Sequence, residues 1–227
     1  MRRWRRVAIA AIALGALGAA ETSKASSALS GTTTADNDFF AYVSTNPAVL
    51  GTPIGSGDSW PSAFTVSSST LGAGTYYLQV EAIDQGPPAA FSGIFSLTGD
   101  GLFANGSQTL TTDPANIPFW TGGFNDNNGA FTPQPWVMPT GSVVQATSFS
   151  WGNIVGTANW IWPSDASSGG ATGQCGNCTV DFMAQFTVGT GISSGVPEPG
   201  TWALMLLGVG AIGASLRTNR RTATAAV

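Results

Sequence analysis

Between Ala25 and Leu216 the chain contains no Lys, Arg or His, and this absence constrains the fold more than any other feature. Every charged residue in this stretch is acidic, so no salt bridge between side chains can form within it. Stability must therefore come from burial of apolar surface and from backbone hydrogen bonds. The same absence excludes nucleic-acid binding by this stretch, because affinity for phosphate groups depends on Lys and Arg.

Apolar residues in this stretch recur at every second position, which is the period of a β-strand and not of a helix. The clearest examples are residues 76–82, 91–97 and 180–188, with turn-forming Gly and Asn residues in the segments between them. Many short strands separated in this way predict an all-β domain, an antiparallel β-sandwich over residues 29–195.

The N-terminus has the parts of a secretory signal peptide. Four arginines precede an uncharged apolar run at residues 7–20, and small residues follow at Ala25 and Ala28. As a helix this run would rise only about 21 Å, which is short of the ~30 Å hydrocarbon core of a bilayer. We predict a signal peptide at residues 1–28, exported by the Sec machinery and cut by signal peptidase after Ala25 or Ala28.

The C-terminus has three parts in order: Val196-Pro197-Glu198-Pro199, an uncharged apolar segment, and Arg217, Arg220 and Arg221. By the positive-inside rule this basic cluster places the C-terminus in the cytoplasm, and the signal peptide places the body across the membrane. The predicted divisions are a motif at residues 196–200, a transmembrane helix at 201–216, the basic cluster at 217–221 and a tail at 222–227.

This tail resembles the PEP-CTERM sorting signal, in which a Pro-Glu-Pro motif, a hydrophobic helix and an Arg cluster follow one another. The resemblance covers residues 196–221 and implies that an exosortase, a membrane enzyme, recognises residues 196–199 and cleaves the tail. The family is typical of Gram-negative bacteria that make exopolysaccharide. We therefore expect export across the inner membrane, transient anchoring by the C-terminal helix, and a final location on the cell surface or outside the cell.

The first half of the body resembles galactose-binding-like jelly-roll modules. The resemblance rests on the acidic opening at residues 36–38 before a strand at 39–43, and on the turn and strand at 71–82 followed by residues 90–93. It implies a jelly-roll-like sandwich, which the signal helix and the transmembrane helix would flank, and a module that binds or organises extracellular polysaccharide.

Asp36, Asn37, Asp38 and Asp84 offer hard oxygen ligands of the kind that Ca²⁺ prefers. Their spacing is not that of an EF-hand, and the alternative is that these residues cap strands and form turns. Calcium is the one cofactor for which the sequence offers ligands. Glu81 is expected to face solvent on its strand.

Cys175 and Cys178 are the only cysteines, so zinc would lack two of its usual ligands. In an exported chain they predict a small loop closed by a disulfide. Trp120 and Trp136 border a region rich in Pro, where an exposed indole ring would stack on a sugar ring; the alternative for both is packing in the core.

We expect no catalysis, because the body lacks the His, Lys and Arg that act as general bases and cationic stabilisers. A glycosidase would need a carboxylate pair, and the candidates are Asp36 with Asp38 and Glu81 with Asp84. The favoured function is a non-catalytic polysaccharide-binding module. The alternative is a structural matrix or surface protein that contacts other proteins through an exposed sheet edge.

Overall fold

The computed structural model describes residues 26–86, 88–125, 134–146, 154–164, 178–189 and 203–211. These residues include twelve β-strands, which confirms the prediction of an all-β, antiparallel body. The strands are β1 Leu29–Asp36, β2 Asp38–Ser44, β3 Thr52–Gly57, β4 Phe64–Ser67, β5 Gly74–Asp84, β6 Ala90–Leu97, β7 Gly101–Phe103, β8 Thr109–Thr111, β9 Trp120–Asn125, β10 Gly141–Gln145, β11 Ile161–Pro163 and β12 Cys178–Val188. One 3₁₀ turn, Ile117–Phe119, lies between β8 and β9.

The strands form a nearly closed sheet in the order β3–β2–β5–β12–β9–β10–β11–β6–β1–β4, with β7 paired to β12 and β8 to β6. Strand β10 pairs with both β9 and β11, so it joins a front layer (β3, β2, β5, β12 and β9) to a back layer (β11, β6, β1 and β4). At the other end of the order, β3 and β4 are in contact. The two terminal strands therefore leave little free edge for pairing with another chain.

The apolar core lies between the two layers. Strands β5 and β12 pair over their full lengths, and their alternate residues Val80 and Phe182 lie opposite each other. The ring of Phe182 stacks on Phe91 of β6 at a centroid distance of 5.0 Å, and Trp162 of β11 meets it edge-on at 5.8 Å. Burial of each such side chain contributes roughly 1.5–3 kcal/mol, so these contacts are the main force that holds the layers together.

The outer face of the front layer is also buried at its centre. Gln79, Glu81, Thr179 and Asp181 point away from the core, yet each has almost no exposed surface. Two segments cover them: the loop between β2 and β3 at residues 45–51, and residues 134–140, which we call the strap. Central strands covered on both faces are the part of the fold that positions the candidate site.

The two terminal segments are described only in part. Residues 203–211 are helical and exposed, and they belong to a compact unit distinct from the body. None of the helices in the described ranges is both long and apolar enough to cross a bilayer. Of the predicted transmembrane helix over residues 201–216, the structure describes only residues 203–211, and the predicted signal helix lies outside the described residues.

Ser27 belongs to the folded body. Its side chain is buried, and its backbone exchanges two hydrogen bonds with Leu71, at 3.0 and 2.7 Å. Its hydroxyl also donates to the carbonyl of Thr98 at 2.6 Å, and the N–H of Ala28 donates to the Thr98 hydroxyl at 2.9 Å. Cleavage after Ala28 would remove all of these bonds, whereas cleavage after Ala25 would keep them.

We therefore expect the mature chain to begin at Ser26. N-terminal sequencing of the exported protein checks this directly. A chain that begins at Leu29 should be less stable by about 2–4 kcal/mol, because it lacks several hydrogen bonds worth roughly 0.5–1.5 kcal/mol each. Recovery of a mature protein that begins at Leu29 would contradict the expectation.

Candidate functional site

The four predicted calcium ligands lie next to one another. The chain leaves the back layer at Asp36, the end of β1, and enters the front layer at Asp38, the start of β2. Pairing of β2 with β5 places Asp38 opposite Ile83, the neighbour of Asp84, and the N–H of Asn37 donates to the Ile83 carbonyl at 2.8 Å. The crossing between layers therefore places residues 36–38 beside Asp84, which is far from them in sequence.

These side chains mainly bond the turn that follows β5. The side-chain oxygen of Asn37 accepts from the backbone N–H of Gln85 at 2.6 Å, and a carboxylate oxygen of Asp38 accepts from the Gln85 side chain at 2.7 Å. Burial, followed by the charges of Asp84 and Asp38, raises the pKa of Asp36 to about 7. Across the described ranges no three His, Cys, Asp or Glu side chains are placed to hold a metal ion, and calcium binding by the set that includes Asn37 stays a prediction.

The two predicted stacking residues have different surroundings. Trp120 is only 3% exposed and packs between Phe91 and Phe95, each at a centroid distance of 5.7 Å, so its ring is part of the core. The prediction that Trp120 stacks on a sugar is therefore wrong, because β9 turns this residue inward. Trp136 lies on the strap, is half-buried, and donates from Nε1 to the carbonyl of Pro47 at 2.8 Å.

The most unusual feature of the body is a pair of buried carboxylates on the outer face of the front layer. Glu81 of β5 and Asp181 of β12 are directly opposite in register, and each is 1% exposed. Residues directly opposite in an antiparallel pair have Cβ atoms about 4.5–5.5 Å apart, so the two carboxyl groups are neighbours. The prediction that Glu81 faces solvent is wrong, because the strap covers this face.

Backbone N–H groups of the strap donate to both carboxylates. The N–H of Gln134 donates to Oε1 of Glu81, and the N–H of Val137 donates to Oδ2 of Asp181 at 3.0 Å. The side-chain amide of Asn125 donates to the same Asp181 oxygen at 3.1 Å and to the carbonyl of Pro135 at 2.9 Å. The acid pair is thus the anchor that holds the strap against the sheet.

Burial dominates the protonation of the pair. It raises the pKa of Glu81 to about 7 against the opposing hydrogen bond from Gln134. It also raises the pKa of Asp181 to about 7; the bond from Val137 opposes this, and the charge of Glu81 adds to it. The pKa of Tyr42, on neighbouring β2, rises through burial and then through the charges of Glu81 and Asp181.

Gln79 performs the same anchoring role for the 45–51 loop. Its side-chain oxygen accepts from the N–H of Gly51 at 2.9 Å, and its amide donates to the carbonyl of Val49 at 3.1 Å. The bond from Trp136 to Pro47 then joins the strap to this loop. Two alternate residues of β5, Gln79 and Glu81, therefore hold two covering segments that are also bonded to each other.

A groove of about 680 Å³ opens beside the 45–51 loop. It is lined by residues 43–46, 49–54, 68, 69, 71 and 76. None of these side chains carries a charge, and they include hydroxyl, amide, aliphatic and aromatic groups. The Tyr76 ring is held in place because it stacks on Phe186 at 5.5 Å and its hydroxyl donates to the Gly72 carbonyl at 3.0 Å.

This geometry separates the acids from the groove. No carboxylate is among the residues that line the groove, and the Glu81–Asp181 pair is sealed under the strap. Of the candidate glycosidase pairs, Glu81 and Asp84 are three residues apart on one strand, so their side chains point to opposite faces. The groove can therefore supply hydrogen bonds and apolar contact, but not the paired acids of glycoside hydrolysis.

Some predicted site residues lie outside the described ranges. These are the sorting-motif residues Val196, Pro197, Glu198 and Pro199, the basic residues Arg217, Arg220 and Arg221, and Cys175. Cys178 begins β12 and is not a free thiol. The disulfide between Cys175 and Cys178 stays a prediction.

We expect the free energy of unfolding to fall as the pH rises from 5 to 8. The folded-state pKa values of Glu81 and Asp181, about 7, exceed the ~4 of the same groups in an unfolded chain, so the folded state binds more protons between these values. The contribution is therefore fully present below pH ~4 and is lost as the pH passes 7. For one proton released by the coupled pair, about three pKa units at about 1.4 kcal/mol each give a loss of roughly 4 kcal/mol over the whole range, most of it between pH 5 and pH 8.

Calorimetric unfolding at each pH measures this change. Glu81→Gln should reduce the dependence to the part that Asp36 contributes, whereas Asp100→Asn, which neutralises an exposed acid, should leave it as it is. A melting temperature that stays level or rises between pH 5 and pH 8 in the unmodified protein would contradict the expectation.

Comparison with known proteins identifies the C-terminal segment alone. The family described as the PEP-CTERM protein-sorting motif matches residues 195–221, which contain the Pro-Glu-Pro motif and the Arg cluster. No curated protein and no solved structure matches the chain, so the jelly-roll resemblance is not confirmed. The matched motif indicates an exosortase-sorted protein that a Gram-negative bacterium exports to its surface or its surroundings.

Proposed function

We propose that the exported body is a non-catalytic module that binds neutral extracellular polysaccharide in the groove beside residues 45–51. The uncharged lining of this groove is the observation that carries the proposal. Neutral sugars need hydrogen-bonding groups for their hydroxyls and apolar surfaces for their ring faces. A charged ligand would leave its charge without an ionic partner, which is a desolvation cost that a neutral sugar avoids.

The size and shape of the groove fit this class of ligand. Its volume of about 680 Å³ is within the ~300–1,000 Å³ typical of small-molecule sites. Tyr76 offers part of an aromatic face, and the exposed side chains of Thr45, Asn46, Thr52 and Ser69 offer hydroxyl and amide groups. The groove is open to one side, so a long chain can lie across it without being enclosed.

A binding role without hydrolysis follows from the placement of the acids. The groove has no carboxylate, the Glu81–Asp181 pair is covered by the strap, and Asp36, Asp38 and Asp84 do not line the groove. A polysaccharide bound in the groove therefore meets no general acid and no nucleophile. Export by an exosortase places such a module where extracellular polysaccharide is found.

A structural role through protein contacts is the second candidate, and one observation favours it. Val49 on the 45–51 loop and Val137 and Met138 on the strap are 56%, 51% and 40% exposed. Exposed apolar side chains on two joined segments are typical of protein contact surfaces. The same surface would then join copies or neighbours in a matrix without any sugar.

Affinity electrophoresis of the exported protein through gels that contain neutral or acidic polysaccharides tests the proposal. We expect a neutral polysaccharide to retard the protein, and Thr52→Arg to weaken this at least about tenfold by filling the groove. Thr187→Arg places the same side chain at an exposed strand position that does not line the groove, and it should have no effect.

Two results would count against the proposal. If neither class of polysaccharide retards the protein, the structural role becomes the better account. If Thr52→Arg and Thr187→Arg reduce retardation equally, binding does not occur in the groove.

A further inference from the structure

Two carboxylate oxygens of the buried acid pair lack partners. Oε2 of Glu81 and Oδ1 of Asp181 are inaccessible to solvent and accept no hydrogen bond. The other oxygen of each group is engaged, by the N–H of Gln134 and by the N–H of Val137 with the amide of Asn125. An ionised buried oxygen without a donor is costly, so each of these two positions requires a positive charge or a donor.

The described elements around the pair supply no cation. Among the described residues, Tyr42 of β2 is the other titratable group that faces the pair, and β9 contributes the uncharged Asn125. The strap and the 45–51 loop contain no titratable side chain. Since residues 25–216 have no Lys, Arg or His, no cationic side chain of the body can neutralise the pair.

We propose that Glu81 and Asp181 share a single proton, held between Oε2 of Glu81 and Oδ1 of Asp181, and that this proton latches the strap against the sheet. One O–H then donates to the opposite carboxylate, and both unpartnered oxygens are satisfied at once. The remaining negative charge is distributed over a pair that already accepts bonds from two backbone N–H groups and one amide.

A proton fits this position better than a divalent cation. Ca²⁺ requires about six to eight oxygen ligands and the space to arrange them. Here only two carboxylates meet, both are inaccessible to solvent, and within the described ranges no larger group of ligating side chains is formed.

The latch makes closure of the strap dependent on pH. Opening exposes both carboxylates to water, where their pKa values return toward ~4. In the closed form burial raises both pKa values, and because the pair titrates as a coupled unit, its shared proton is retained until the pH approaches 7. The closed form therefore binds one more proton over this interval, is favoured at acid pH, and is lost as the pH rises. With one proton per closure, the ratio of closed to open strap falls on the order of 100-fold between pH 5 and pH 7.

Opening of the strap also loosens one wall of the groove. Trp136 links the strap to Pro47, and Gln79 fixes the adjacent Val49 and Gly51, which line the groove. This consequence rests on the proposed function. It predicts that neutral polysaccharide binds more tightly at pH 5 than at pH 8, with regulation by the acidity of the surroundings.

Hydrogen exchange of the exported protein, without polysaccharide, tests the latch separately from sugar binding. After correction for the intrinsic exchange rate, protection of the Gln134 and Val137 amides should fall about 100-fold between pH 5 and pH 7.5. The amides of the β1–β6 ladder, which lie in the back layer, are the reference for global unfolding, and the strap amides should be less protected than they are at pH 7.5. Strap protection that does not fall as the pH rises would overturn the latch, and this measurement needs no variant.

Two variants and the addition of calcium test the shared proton further. In Glu81→Gln the amide replaces the proton as a permanent donor, so protection of Val137 should vary less than about threefold over the same range. Asp100→Asn should behave like the unmodified protein. A full pH dependence in Glu81→Gln, or recovery of protection at pH 8 on addition of CaCl₂, would overturn the shared proton; the second result would assign a divalent cation instead.

Discussion

Burial of carboxylates in a body that has no basic residue is the constraint on which the other features of this structure depend. Most proteins neutralise a buried acid with Arg, Lys or His, and residues 25–216 contain none of these. Backbone N–H groups and amides are the donors that remain, and in the front layer they come from the strap. Each covering segment is therefore attached to the sheet through an acid or an amide of β5 or β12, so protonation and tertiary structure are coupled.

The two faces of the front layer have different roles. Its inner face supplies Phe182 and its neighbours to an aromatic core that makes the body stable. Its outer face is buried by loops through polar contacts, and those of the strap involve the carboxylates of Glu81 and Asp181. This division leaves the groove beside the 45–51 loop at the margin of the rigid core, where its wall can respond to the strap while the sandwich stays folded.

The sequence predicts the fold class well because strand alternation is local: residues 76–82, 91–97 and 180–188 lie within β5, β6 and β12. The proximity of Asp36 and Asp84, which the calcium hypothesis assumed, arises because the chain crosses between the layers at this point. The environment of Glu81 could not be predicted, because alternation assigns a side chain to a face but does not show that a segment some fifty residues away covers that face. The placement of Trp120 could not be predicted for a similar reason, since its position beside a proline-rich region does not show to which face of β9 its ring points.

Direct titration of the acid pair is the most decisive measurement. Carbon-13 NMR of the exported protein, with labelled Glu and Asp side-chain carboxyls, reports the protonation of Glu81 and Asp181 as the pH is raised. A proton shared by the two groups predicts a coupled transition with a midpoint near pH 7, in which the two signals move together. Independent titration of both carboxyls near pH 4, as in an unfolded chain, would contradict it.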